Sequence, residues 1–155
     1  MVWIGALSGL AFLVACCSSS NGLTKAEKKQ LTQDRDSIKS ILRTHWMATP
    51  KDDPVAQAEF DAETNRLQYQ IDSINYSLGK NVDLEKSKER LEQSRQYYTL
   101  NKRIGELRKA LRFREGACVY GSPEVIKEYG KETRKMKQEL QDLENQLEEM
   151  NKQKQ

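Results

Sequence analysis

Residues 60 to 78 read FDAETNRLQYQIDSINYSL, and in them Phe60, Thr64, Leu67, Ile71, Ile74 and Leu78 recur at steps of four, three, four, three and four. That spacing keeps one stripe of an α-helix turned towards a partner helix, because its mean period lies close to the helical repeat. Gly79 follows as a natural C′ residue, able to take a positive φ. Nothing in the stretch alternates with period two, so it reads as helix and not as strand.

The same reading extends in both directions. Upstream, Thr24-Lys-Ala-Glu27 fits a capping box, and Leu31, Ile38, Ile41, Leu42 and Trp46 share a helical face behind it. Thr49 to Pro54 stops that helix, with Asp53 as a cap and Pro54 at the first position of the next. Downstream, Asp83 caps a third helix from Leu84, whose row begins Leu84, Leu91, Tyr98 and then shifts to Leu100, Ile104, Leu107 and Leu111. The shift is a break in heptad phase of the stutter kind. Gly116 to Ser122 ends this helix, and Ser122-Pro123-Glu124 opens a fourth carrying Met136, Leu140, Leu143, Leu147 and Met150.

The expected fold is therefore all-α: an elongated antiparallel helical bundle, or coiled-coil hairpins, of about four helices joined by short turns. Residues 24–155 form this helical domain. The third and fourth helices, some 30 residues each, reach about 45 Å, and the first two are shorter. An up-down-up-down course puts the 116–122 turn at the far tip. Folding the last two helices about that turn also brings Gly105 and Gly130 within a turn of each other, where they either allow a close approach or are local kinks or tolerated flaws in their helices. Asp36-Ser-Ile and Asp72-Ser-Ile recur 36 residues apart, too small an echo to establish a duplicated hairpin.

Composition narrows the functional classes. The chain has 26 basic and 23 acidic residues, a net charge of +3, and only 37% hydrophobic residues, many of them in the first 17 positions. The core is accordingly a narrow seam. Interleaved charges of both signs read as solvated helix surface, and no nucleic-acid partner is expected. His45, the single histidine, sits beside Trp46 near a helix end, a place for a packed aromatic or a helix-end cation and not for a catalytic triad. No CxxC, HExxH, calcium loop or glycine-rich phosphate loop occurs, so no catalytic, cofactor-binding or metal-binding residue is expected and the chain reads as a non-enzyme. Tyr69, Tyr76, Tyr97, Tyr98 and Tyr129 read as core with their hydroxyls reaching solvent, and Tyr120 lies in the tip turn.

The amino-terminal segment is a separate matter. No charge appears before Lys25, and Val2 to Ala15 is an apolar run of fourteen residues, short for a bilayer span of roughly 20 but suited to a secretory signal. Leu13, Val14, Ala15 and Cys16 resemble the lipobox of bacterial lipoproteins. The resemblance covers these four residues and the apolar run before them, and it departs from such signals in having no basic residue ahead of the run. It implies a signal peptide over 1–15, cleavage before Cys16, a diacylglycerol thioether on Cys16, and acylation, as by palmitate, of the new amino terminus. Residues 16–23 would then be the lipidated cysteine and a flexible tether. Position 17 is cysteine and not aspartate, which for this family implies the outer membrane more than the inner. An uncleaved signal-anchor, or an apolar terminus with no targeting role, is the alternative reading of the same residues.

Together these readings give an expected function: a membrane-anchored cell-envelope lipoprotein acting as a non-enzymatic scaffold or interaction protein. The alternative is a holdase-like periplasmic chaperone with helical arms, an analogy at the level of fold alone. The expected partners are the membrane, through Cys16, and an unidentified envelope protein. Cys118, Val119 and Tyr120 in the apolar tip turn are the candidate contact residues, with Val119 and Tyr120 plugging the end of the bundle as the alternative, and an oxidising envelope allows Cys118 to join two copies in a homo-oligomer.

Overall fold

A computed structural model describes residues 22–48, 50, 53–117 and 119–153. The apolar amino-terminal run, on which the signal and lipidation expectations fall, Cys16 and Cys118 lie outside the described residues. Among the described residues the chain forms four helices and no strand: α1 Lys25–Trp46, α2 Pro54–Ser77, α3 Leu84–Glu115 and α4 Pro123–Gln153.

The helix ends follow the local chemistry. Thr24 N–H donates to the Glu27 carboxylate at 2.7 Å and Glu27 N–H donates back to Thr24 Oγ1 at 3.3 Å, completing the capping box. Asp53 accepts from Val55 N–H at 2.9 Å with Pro54 in the first turn, and Asp83 accepts from Lys86 N–H at 3.0 Å. At the end of α2, Gly79 takes φ 76°, its N–H donates to Tyr76 O, and Lys80 N–H donates to Asn75 O, both at 2.9 Å. This is a Schellman motif, and a side chain at position 79 would be strained in it.

Substantial packing joins only helices adjacent in the chain: α1 with α2, α2 with α3, and α3 with α4. Each pair is antiparallel, as shown by His45 on Phe60, Ser87 on Asp72, and Arg103 and Arg114 on Glu139 and Glu132. Leu42, Leu67 and Ile71 pack together with Ile38 between α1 and α2. Leu91, Ile104, Leu107 and Leu111 are the buried apolar residues of α3.

The phase break in α3 has a spatial meaning. At 3.6 residues per turn, the row through Leu84, Ser87, Leu91, Tyr98 and Gly105 points about 155° away from the row through Leu100, Ile104, Leu107 and Leu111. The first row meets α2: Ser87 bonds Asp72, and a Cβ placed on Gly105 would come 3.3 Å from Val55 Cγ2. The second row meets α4, with Arg103–Glu139, Arg108–Glu144, Arg114–Glu132 and Lys137–Glu115 ion pairs along its margins. One helix thus serves two partners on two faces.

Three expectations are corrected. Gly105 faces Val55 of α2 and not Gly130, which has open space where a Cβ would be, so no paired-glycine approach exists between α3 and α4. Ile41 and Trp46 are about half exposed, because α1 has one neighbour and the edge of its apolar stripe faces outwards. Tyr76 is 59% exposed in the last turn of α2, away from the Ile71–Ile74 side. The short Asp-Ser-Ile echo has no structural counterpart either, since Asp72 is buried on Ser87 whereas Asp36 is exposed and pairs with adjacent Arg35.

Asp72 deserves its place at the α2–α3 contact on physical grounds. A buried carboxylate needs hydrogen bonds, and it accepts from Ser87 Oγ at 2.6 Å and Gln68 Nε2 at 2.9 Å, with Arg90 at 3.8 Å. Sliding α3 by one residue would strand it, so the node selects the register.

On α4 no described side chain is fully buried; Met136, Leu140, Leu143, Leu147 and Met150 are all half-buried. Leu107, in contrast, is only 2% exposed. Leu107→Ala should therefore cost about 2–5 kcal/mol in urea unfolding followed by circular dichroism, and Leu143→Ala distinctly less. Equal losses would mean that α4 sits in a deeper core than this arrangement contains.

Candidate functional site

Two features present chemistry at the surface: a groove where α1, α2 and α3 meet, and the turn between α3 and α4. The groove, of about 730 Å³, is lined by His45 and Pro50 on one side, Phe60, Glu63 and Arg66 along its floor, and Arg95 and Tyr98 opposite. His45 stacks on Phe60 with centroids 4.1 Å apart and planes at 12°. Its Nε2 lies 3.2 Å from Phe60 O, and since a carbonyl can only accept, Nε2 carries the hydrogen. Only Nδ1 is left for any other task. The expectation of a packed aromatic at this position is thus met in a specific form.

Glu63 accepts from Arg66 through both oxygens, Nε at 2.7 Å and Nη2 at 2.6 Å. The hydrogen bonds from Arg66 hold the Glu63 carboxyl below the ordinary carboxylate range against partial desolvation, and the same pair raises Arg66. An acid already ionised and saturated by a guanidinium has little capacity to move a proton at neutral pH. The groove is also open, and its charges compensate one another, so what it offers is shape and weak polar contact. Among the described residues no three His, Cys, Asp or Glu side chains converge as metal ligands.

The tip is built differently. Arg114, in the last turn of α3, stacks over the Tyr129 ring at 4.4 Å and donates to Tyr129 O and Thr133 Oγ1, both at 3.2 Å, while pairing with Glu132. Tyr129 returns a hydrogen bond from its hydroxyl to Arg114 O at 3.1 Å. This reciprocal clasp fixes the two helix ends without using Val119 or Tyr120. Tyr120 is 88% exposed and Val119 half-buried, so Tyr120 does not plug the end of the bundle. Phe113, Val125 and Ile126 are exposed around it, none of them singled out by helical spacing because each lies at a helix end.

No protein-family model, curated protein or solved structure matches the chain. Among the described residues no helix is long and apolar enough to cross a membrane.

The groove residues Glu63, Arg66 and Arg95 carried no warning in the sequence beyond the Glu63–Arg66 spacing. Their ion pair makes a checkable statement. A carboxyl lowered in the folded chain stabilises it above the unfolded pKa, and that contribution disappears as pH falls through the folded pKa. Glu63→Gln should lower the melting temperature modestly at neutral pH, and the gap from the parent should close below the ordinary carboxylate range. A gap independent of pH would assign the loss to packing and not to charge.

Proposed function

We propose that the chain is a lipid-anchored scaffold of the bacterial cell envelope, held at a membrane through Cys16 and presenting its tip to a partner. The observation that carries this reading is the LVAC sequence at 13–16, joined by a short polar tether to a helical domain whose α1 starts beside the end of α2, at the far end from the 116–122 turn. Multiple acyl chains, each buried CH₂ contributing about 0.8 kcal/mol, give lasting attachment to such a domain. With α3 spanning about 48 Å, the exposed turn is held well away from the tether.

The form of the surface favours a scaffold over a holdase-like chaperone. A chaperone needs an extended apolar or strongly basic concave face for unfolded clients. Here the apolar rows are used between helices, and the concave groove is lined by an ion pair, a stacked histidine and a few small residues. Tyr120, Val119 and Cys118 in the turn are the proposed partner contacts, and Cys118 is the proposed link between copies. The outer membrane is the proposed location, from cysteine at 17.

Labelling with palmitate and fractionating the envelope tests the anchor. Cys16→Ser should abolish incorporation and release the protein from the membrane fraction; a variant that still takes up label and floats with membranes contradicts it. Non-reducing gels of Cys118→Ser should lose any dimer band of the parent, and Tyr120→Ala should thin the pattern of envelope crosslinks. Unchanged crosslinks would remove the tip as the contact.

A further inference from the structure

The overall charge of +3 conceals a division. Residues 102–137, which form the distal half of α3, the turn and the first half of α4, hold eleven of the 26 basic residues but only five of the 23 acidic ones. The remainder of the chain is net acidic. Within the basic part, the ion pairs at Arg103, Arg108, Arg114 and Lys137 are made with α4 or α3 carboxylates, Glu139 and Glu144 among them supplied from outside it. Lys109, Arg112, Lys127, Lys131, Arg134 and Lys135 make no ion pair with a described carboxylate and are exposed; the first four lie within about 12 Å of the helix ends at the turn, and Arg134 and Lys135 about 17–18 Å along α4. At the apex stand Tyr120, Val125 and Ile126, with Phe113 in the last turn of α3.

We infer that the α3–α4 tip docks on an anionic lipid bilayer surface. Aromatic and branched apolar side chains at an apex can enter the headgroup layer to a shallow depth, and a collar of long basic side chains can reach the phosphates around them. The hollow lined by His45, Phe60 and Tyr98 and the shallow one lined by Lys135, Glu139 and Gln146 both lie away from the apex, and the cations are dispersed round both helices. A diffuse layer of negative charge over an apolar interior complements it; a single acidic peptide would meet only part of the collar. The Arg114–Tyr129 clasp keeps the hairpin end closed, so docking requires no unfolding of it. This inference makes a bilayer surface the tip's partner in place of the envelope protein or second copy proposed above; it rests on charge and exposure at the tip and stands independently of the lipid on Cys16.

The test uses the full chain with Tyr120→Trp, and the difference in emission between this variant and the parent isolates position 120 from Trp3 and Trp46. With vesicles of mixed phosphatidylcholine and phosphatidylglycerol, the difference spectrum should shift to the blue and be quenched by brominated acyl chains. Vesicles of phosphatidylcholine alone should produce little of either. Reversing Arg112, Lys127 and Lys131 to Glu together should weaken the response roughly tenfold or more, and salt should do so progressively. Water-like emission with both vesicles would overturn the inference, as would an equal shift in phosphatidylcholine alone. A blue shift without any vesicle would show that a second copy, and not lipid, covers the tip. Loss of palmitate labelling bears on the anchor only, whereas this signal comes from position 120 whether or not Cys16 is acylated.

Discussion

The change of phase along α3 is the constraint from which the arrangement follows. A helix with one continuous apolar stripe closes on one neighbour or into one bundle core. With two rows about 155° apart, α3 takes α2 on one side and α4 on another, and those two helices are held apart. Gly105 lies where the rows change over, and its missing side chain lets Val55 come up against the α3 backbone. Asp72 and Ser87 set the register of the first contact, and the ion pairs along α4 flank the second.

Because packing passes from neighbour to neighbour, burial is unevenly distributed. α2 and α3 each have two partners and contain nearly all of the buried side chains, whereas α1 contributes Leu42 and α4 has none among its described residues. The exposed α3–α4 ion pairs add little to stability and mainly orient α4 on its narrow seam. The outer helices consequently keep wide polar faces.

Much of this was legible in the sequence because helix ends are local. Thr24 with Glu27, Asp53 with Pro54, and Gly79 each identify a terminus through side chains a few residues away, and the structure places the helices at those boundaries. The shift in the α3 row was legible too, as a stutter, but its consequence was not, since period alone does not say which helix meets which row. Gly105 illustrates the loss: folding α3 onto α4 as an isolated hairpin puts it beside Gly130, and only the presence of α2 on the other face assigns it to Val55. The groove of His45, Phe60, Glu63, Arg66, Arg95 and Tyr98 draws on three helices and has no signature in one dimension. The basic tip escaped notice for a simpler reason, because it is divided between two helices and balanced in the total by acidic residues elsewhere.

Native-state hydrogen exchange of the full chain tests the serial arrangement most directly, since amide protection reports how much structure must open at each position. Protection should be greatest through α2 and the Leu91–Leu111 part of α3, lower in α1, and lowest along α4, with α4 amides exchanging through an opening that leaves α2 and α3 intact. If α4 is instead as protected as α3 and exchanges only with global unfolding, the four helices share one closed core and the two-faced α3 is not the basis of the fold.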